Sequence, residues 1–557
     1  MPPLILTPLE YTQVCSNDPP TREFLVELVR RMHWQQLIQR CAGISYLSWR
    51  QGIENLAHQN NLAENLVRSL FYGPAIIRRL RHEPQYRLCT REGLFALLRL
   101  AFIEKSEGDD SFDFADSFVR ANLAVNQLIN AETLVDAPTG GASDLLRSEL
   151  RSEIQQLENF HDLIGRTHAL FEWSDSEAGR NSKNALPLKD DLRRFTGLTP
   201  LEYGAAAYSI VSRSTGFKKW DDVESVPLWL KLEQMGQFTD STPMQKWLDA
   251  CSVPIEEACE TWAQEPSLSL AAVGPLWSKP VLRDGEFYMI PYAPLATNTM
   301  GDETYFSLLH GYGSDDDDEE KKKQFMTLYG EFFEDYVVDV LTRAYGDRQD
   351  IRFTPEIIYG EPELRSSDFI VQEGDDIIFF EIVAKRMNMT GSVLNFSAQS
   401  IATDLELGVS CKIRQIHDNI QRFRERTLLP EWPRNASQRF FPVLVAPHER
   451  PRIYVIKEIL PKLMQDEHFL DGCEPIEFLD VGEVESLEGA LKSGSRLGAL
   501  LDRKNSGPAP ATRFWSLHNY LVEMEQTFLP QGPSLARERG GQAAKEMVSL
   551  ATSWLKE

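Results

Sequence analysis

The amino-acid sequence predicts an α+β multidomain protein, with a mostly helical N-terminal half and a C-terminal domain in which helices flank a mixed central sheet. The chain has 557 residues, several times the usual length of one domain. Apolar residues recur at three- and four-residue steps through much of the first half, which is typical of helices. From residue 324 the pattern changes to helix, strands, helix and strand.

Breaks in the pattern divide the chain into four predicted segments. A Pro/Gly-rich stretch at 136–143 and a charged block at 314–323 are typical of linkers. A small hairpin is predicted at 276–292, turned at Asp284-Gly285. The predicted segments are a helical N-terminal domain (1–135), a helical middle domain that contains the hairpin (144–312), a sheet-containing domain (324–500) and a helical C-terminal tail (505–557).

The composition of the chain excludes some classes of protein. The net charge of −25 argues against nucleic-acid binding through the overall field, although residues 1–100 contain twelve Arg and only eight acidic residues. No apolar run is long enough to span a membrane and no basic segment precedes the first apolar stretch, so we expect a cytoplasmic protein without a membrane partner. The seven cysteines form no CxxC pair, which predicts reduced thiols.

The first predicted element that contains a candidate functional residue is the helix at 324–346. Its polar residues recur every four positions from Glu331 to Arg343. Glu334 lies off this stripe, on the side predicted to be buried. A carboxylate that faces a core costs several kcal/mol unless it is paired or binds a metal ion. Glu334 is therefore a candidate metal ligand.

Two strands are predicted at 366–386 around a turn at 373–376. The second strand, IIFFEIVA, is a continuous apolar run that is interrupted only by Glu381. Lys385 lies four positions on, which is the same face of a strand, and Asp368 can lie opposite on the neighbouring strand. Two acids beside a lysine can bind a divalent metal ion and activate water, so all three are candidate catalytic residues.

Basic and polar residues mark two candidate nucleic-acid-binding surfaces. On the helix predicted at 409–427, Lys412, Gln415 and Arg422 lie beside the apolar stripe. Five basic and two acidic residues between 412 and 426 make this segment positive in an acidic protein. A second basic cluster ends a predicted helix of the N-terminal half and consists of Arg78, Arg79 and Arg81.

Residues 324–490 resemble the PD-(D/E)XK nuclease superfamily. The resemblance rests on the order of a G-x-x-F-E helix, a strand acid, an F-F-E strand and a K-x-x-Q helix, which here are Gly330, Phe333, Glu334, Asp368, Glu381, Lys412 and Gln415. It implies a restriction-endonuclease-like fold. It also implies that Asp368 and Glu381, with Glu334, bind magnesium or manganese, while a lysine polarises the water or the scissile phosphate.

The sequence departs from the family pattern at two positions. Ser367 replaces the proline before Asp368, which removes no chemical group. Val383 occupies the position at which the family has its lysine. Lys385 from the same strand and Lys412 from the following helix are alternative sources of the missing ammonium, and an inactive site is a third alternative.

The resemblance implies a metal-dependent nuclease that hydrolyses phosphodiester bonds of DNA, in preference to RNA. A bacterial setting of anti-phage defence or DNA repair follows by analogy alone. One alternative is a catalytically inactive nuclease-fold subunit that binds nucleic acid or acts as a scaffold in a multiprotein complex. Another is an interaction protein whose helical half binds a partner through an exposed apolar patch. No ATPase motif occurs, so any motor is expected to be a separate subunit.

Overall fold

The structure is a computed structural model of the chain. By contact the chain divides into two compact units, each assembled from separate stretches of sequence. The sheet unit contains the described residues of Pro138–Pro187 and Tyr312–Gln542, and the helical unit contains those of Leu4–Ala137, Leu188–Gly311 and Ala543–Glu557. The structure describes residues 7–15, 18–51, 63–83, 86–135, 160–214, 220, 222–236, 238–265, 267–268, 270–301, 303–313, 319–360, 363–384, 403–404, 406–447, 469–507, 516–517, 520–521 and 534–555.

A five-stranded mixed sheet forms the centre of the sheet unit. Its strands are β1 (Arg352–Pro355), β2 (Phe369–Glu373), β3 (Asp376–Ile382), β4 (Arg439–Ala446) and β5 (Glu477–Asp480). They lie side by side in that order, with β1, β2 and β3 successively antiparallel and β3, β4 and β5 parallel. A side hairpin of two short strands, Ile358–Tyr359 and Leu364–Arg365, occurs between β1 and β2 in the chain.

A tight turn sets the register of β2 and β3. The strands pair from Glu373 and Asp376 onwards, so that Gly374 and Asp375 alone connect them. Gly374 has a φ of +71°, a conformation that costs glycine little because it has no Cβ. The predicted turn at 373–376 is therefore confirmed.

Helices cover both faces of the sheet. The helices of this unit are α1 (Phe160–Ser174), α2 (Glu319–Tyr345), α3 (Cys411–Arg424), α4 (Val481–Lys492) and α5 (Leu497–Asn505), together with the short helix Glu177–Asn181, a π-helical turn at Glu406–Ser410 and the first residues of Leu535–Ser553. On one face, Ile413 and Ile416 of α3 join the apolar core that includes Phe379 of β3. On the other, Tyr345 of α2 stacks on Phe369 of β2. The crossover through α3 allows β3 and β4 to run parallel.

A buried polar network ties α1 to the layer of α2 and α4. Glu485 of α4 accepts a hydrogen bond of 2.9 Å from Arg166 Nη1 and one of 2.7 Å from the hydroxyl of Tyr336. All three side chains are buried. Because an unpaired buried charge is costly, these contacts specify how α1 packs on the rest of the unit.

The helical unit confirms the predicted helices of the N-terminal half. One group of apolar residues that recur at three- and four-residue steps, Leu25, Leu28, Val29 and Met32, is buried. The predicted hairpin is present, but its turn residues are Gly285 and Glu286, one position later than expected, because Asp284 still pairs with Phe287. Its helices are Arg22–Arg30, Trp34–Gln51, Gly73–His82, Arg91–Glu104, Phe114–Val135, Leu188–Thr196, Pro200–Ser214, Asp222–Ser225, Leu232–Met235, Thr242–Cys251, Ile255–Gln264, Ala293–Asn298 and Glu303–Tyr312, the last of which ends at the boundary of the unit.

Short strands complete the helical unit. Leu230–Lys231 and Ser252–Pro254 extend the hairpin Val281–Asp284 and Phe287–Met289 to four strands, and Thr7–Pro8 pairs with Tyr86–Arg87. These pairings were not predicted, since strands of two or three residues have no recognisable period.

The two units combine parts of the four predicted segments. The described part of the predicted middle segment, 144–312, is divided, because residues up to Pro187 belong to the sheet unit and those from Leu188 to Gly311 to the helical unit. All seven cysteines are among the described residues, and none of them forms a disulfide bond there. Within the described part of the chain, no helix is both long and apolar enough to cross a membrane.

The network around Glu485 makes a prediction about pH. Burial raises the pKa of Glu485 from 4.5 to about 7, although Arg166 and the Tyr336 hydroxyl oppose this increase. The folded state therefore holds this proton more tightly than the unfolded state, and stability from this group is lost as the pH rises from about 4.5 to about 7. The Glu485→Gln variant cannot ionise at this position and should escape that loss.

Hydrogen exchange of the α4 amides, corrected for intrinsic exchange, is the measurement. Between about pH 5 and pH 7, protection in the wild type relative to Glu485→Gln should fall by a factor on the order of ten to a hundred. A constant ratio across this range would contradict the assignment of a raised pKa to Glu485.

Candidate active site

Strand pairing brings the two predicted strand acids together. Phe369 of β2 pairs with Phe380 of β3. Asp368, immediately before β2, therefore lies opposite Glu381 of β3, and directly opposed residues project from the same face of a sheet. This face is the one that α3 covers, since Phe379 packs in the core beneath that helix.

Lys412 lies in the first turn of α3 and contacts both acids. Its Nζ atom donates to Asp368 Oδ2 at 3.1 Å and to Glu381 Oε2 at 2.8 Å. The backbone N–H of Ile382 also donates to Asp368 Oδ2, at 2.6 Å. One ammonium group and one backbone amide thus hold the two carboxylates in place.

The electrostatic balance of this site follows from its burial. Glu381 is 0% exposed and Asp368 is 2% exposed. Burial, and then the charge of Asp368, raise the pKa of Glu381 well above its usual value, while Lys412 and the nearby Ser367 hydroxyl oppose the increase. Burial tends to lower the pKa of Lys412, but the charges of Glu381 and Asp368 outweigh it and raise that pKa. The ammonium group is therefore charged at neutral pH.

Glu334 of α2 approaches the same site from the other helical layer. Its side chain is half-buried. Burial, followed by the nearby charge of Asp368, raises the pKa of Glu334 to about 7, against the opposing effect of Lys412. The electrostatic coupling agrees with the expectation that Glu334 lies near the strand acids. Gly330, one turn earlier, lies next to Ala384 just beyond β3.

Val383 occupies the position at which PD-(D/E)XK nucleases have a lysine, and its side chain packs in the core. Val383 is buried in the apolar core beneath α3, together with Val409 and Ile413. Lys385, the candidate on the same strand, lies outside the residues that the structure describes. Of the two lysine candidates, Lys412 is thus the one whose contact with the acids is observed.

The donor set suits a hard divalent cation in part. Magnesium and manganese prefer carboxylate oxygens, and Asp368 and Glu381 supply two such groups side by side. Glu381 Oε1 is buried and makes no hydrogen bond with any residue that the structure describes. Over the described ranges, however, no three Asp, Glu, His or Cys side chains converge closely enough to form a metal-binding group. The strand acids fit the cation, and Glu334 as the third ligand stays a prediction.

A buried polar chain adjoins the acids and was not predicted. Asn419 of α3 is fully buried and donates from Nδ2 to Ser367 Oγ at 3.3 Å. The hydroxyl of Tyr359, in the side hairpin, donates to Asn419 Oδ1 at 3.3 Å, and Arg422 Nη1 donates to the Tyr359 oxygen at 3.4 Å. The signal was present in the sequence, because Asn419 lies in the same helical row as Lys412 and Arg422.

The remaining predicted nucleic-acid-binding residues belong to both units. Gln415 is half-buried on α3. Arg78, Arg79 and Arg81 belong to the helical unit. Arg79 contacts Glu83 and the ring of Tyr86, and Arg81 pairs with Glu64, whereas Arg78 is exposed. Two of the three arginines therefore already have partners within the chain.

No family model, curated protein or solved structure matches this chain. The resemblance to PD-(D/E)XK nucleases thus depends on the motif residues and their order.

The bridging position of Lys412 predicts a metal-dependent change in stability. Lys412→Met leaves Asp368 and Glu381 facing each other without a counter-charge, which should destabilise the metal-free protein by on the order of 3 kcal/mol. Manganese should restore the melting temperature of this variant more than it raises that of the wild type, because a divalent cation can replace the lost ammonium.

Lys504→Met is the matched control for this thermal-shift measurement. Lys504 forms a buried ion pair with Glu477 elsewhere in the sheet unit. Its removal should also destabilise the protein, but manganese should not restore the lost stability, since Lys504 pairs with Glu477 and not with the proposed cation-binding acids. Equal manganese responses in the two variants would contradict a cation site at Asp368 and Glu381.

Proposed function

We propose that this chain is a metal-dependent nuclease that hydrolyses phosphodiester bonds of DNA. The observation that supports this most directly is the meeting of Asp368, Glu381 and Lys412 at one place on the sheet. Two acids and one lysine are the groups that a PD-(D/E)XK site requires. They come from three separate elements, and two of them are almost wholly buried despite their charge.

The order of elements also supports a restriction-endonuclease-like fold. A helix that contains Glu334 precedes antiparallel strands that supply Asp368 and Glu381. A crossover helix that supplies Lys412 then leads to a parallel strand. Helices cover both faces of the resulting mixed sheet. This agrees with the arrangement that the motif residues imply.

In the proposed site, Asp368 and Glu381, assisted by Glu334, would hold magnesium or manganese. The bound cation would stabilise negative charge on the phosphate and lower the pKa of a water molecule. Lys412 keeps a charged ammonium beside both carboxylates and can donate a hydrogen bond to a phosphate oxygen. Its place at the start of α3 compensates for Val383 at the family position.

One observation favours a second candidate, a nuclease-fold subunit that binds nucleic acid without cleaving it. The ammonium of Lys412 lies between the two acids, in contact with both carboxylates. If the ammonium stays there permanently, the acids have a structural role only. Cleavage of plasmid, linear and single-stranded DNA by the purified chain with magnesium or manganese separates the two candidates.

Neutralising either acid should abolish cleavage while leaving the fold intact. Asp368→Asn and Glu381→Gln should each reduce the cleavage rate on the order of a hundredfold or more, because each removes a charged group of the site. The control is Asp375→Asn, at the exposed turn between β2 and β3, far along the same hairpin from the acids. If the control loses as much activity as the acid variants, the assignment of the site is wrong.

The source of the catalytic ammonium is tested by separate lysine variants. Lys412→Ala should cut on the order of a hundredfold more slowly than the wild type, whereas Lys385→Ala should cut at nearly the wild-type rate. Val383→Lys, introduced into Lys412→Ala, should restore part of the rate, since position 383 shares the strand face of Glu381 about 7 Å away. A normal rate for Lys412→Ala with an inactive Lys385→Ala would reverse the assignment.

A further inference from the structure

One row of polar residues on α3 extends well beyond the two acids. Lys412, Gln415, Asn419 and Arg422 recur at three- and four-residue steps and therefore lie along one side of the helix. Lys412, at one end, contacts the acids. Asn419 is fully buried in the middle, where a polar side chain needs hydrogen-bond partners. Arg422, at the other end, is only half-buried.

The partners of Asn419 join the two ends of this row. Its amide group donates to Ser367, the residue directly before Asp368. Its carbonyl oxygen accepts from the Tyr359 hydroxyl, and the oxygen of that hydroxyl accepts from Arg422. The orientation of Arg422 is therefore coupled, through the half-buried Tyr359 and the buried Asn419, to the segment that places Asp368. A solvated surface arginine would need no such support.

The charge of Arg422 is not used within the described part of the chain. Asp418 and Glu425 lie four residues before and three residues after it, at spacings where helical ion pairs form. No ion pair between Arg422 and a carboxylate is present among the described residues. Arg365 of the side hairpin, by contrast, pairs with Glu356 at 3.1 Å. In a protein with a net charge of −25, an arginine oriented by tyrosine remains available to an external anion.

We infer that Arg422 and Tyr359 form a second phosphate-binding subsite, which contacts a DNA backbone phosphate that flanks the one at the acids. This inference rests on the proposed function. Ten helical residues separate Lys412 from Arg422, a rise of about 15 Å. Along one strand of a duplex, at about 3.4 Å per nucleotide, this corresponds to roughly four nucleotides. The guanidinium supplies charge and paired N–H donors for the phosphate, and the Tyr359 hydroxyl orients it.

Binding without divalent metal tests the subsite independently of cleavage. Duplex DNA of about 20 base pairs is titrated with the protein in EDTA, by fluorescence anisotropy, between about 50 and 200 mM salt. Arg422→Gln should reduce the slope of log affinity against log salt by about 0.9, so that the wild-type advantage shrinks about threefold across this range. Tyr359→Phe should weaken binding less, because it removes the orienting hydroxyl and keeps the charge.

Arg414→Gln is the matched control, since Arg414 is exposed on the same helix outside the polar row. It should keep the wild-type slope, and both arginine variants should keep the wild-type melting temperature, whereas Tyr359→Phe should lower it because the buried Asn419 Oδ1 loses its donor. A duplex with fewer than about four base pairs beyond the cleavage position, on the side of the subsite, is too short to reach Arg422. The wild type and Arg422→Gln should bind this duplex with the same affinity.

The outcomes separate this inference from the proposed nuclease activity. An Arg422→Gln slope equal to that of the wild type overturns the subsite, even if the wild type cleaves DNA. A reduced slope in a wild-type background that never cleaves supports the subsite and contradicts the nuclease. A wild-type chain that neither binds DNA in EDTA nor cleaves it with magnesium or manganese overturns both.

Discussion

The site depends on one ammonium group placed between two buried carboxylates. Asp368 and Glu381 face each other across adjacent strands, where their mutual repulsion and their desolvation both oppose folding. Lys412 offsets this cost from a different layer of the structure. Because Lys412 belongs to α3, this helix must pack on the sheet accurately enough for the Lys412 Nζ atom to reach both acids. The crossover between β3 and β4, which contains α3, is therefore constrained as well.

The rest of the sheet unit can be understood as support for this contact. The apolar core beneath α3 holds the helix against β3. Hydrogen bonds through Asn419 connect the segment before Asp368 with Arg422. On the opposite face, α2 brings Glu334 towards the same acids while the Glu485 network attaches α1. Asp368, Glu381 and Lys412 thus meet near the carboxyl end of β3, which is where the proposed site would bind a phosphate and a divalent cation.

The sequence predicted the parts of this arrangement that depend on local pattern. The apolar run around Glu381, with a short turn before it, was sufficient to place Asp368 opposite that residue. Lys412 was one of the two lysines predicted to supply the ammonium, but its contact with both acids was not predictable, because these residues lie 44 and 31 positions away in the chain. The burial of Asn419 depends on Ser367 and the side hairpin, and the membership of residues 160–187 in the sheet unit depends on distant helices. Local sequence patterns do not indicate contacts between residues that lie far apart in the chain.

Crystals of the chain grown with manganese would test the central claim most directly, through anomalous scattering. The predicted result is a manganese peak in contact with carboxylate oxygens of Asp368 and Glu381, with the Lys412 ammonium displaced from between them. Crystals that contain manganese elsewhere, while Lys412 still bridges the two acids at an unchanged distance, would contradict a cation-binding catalytic site.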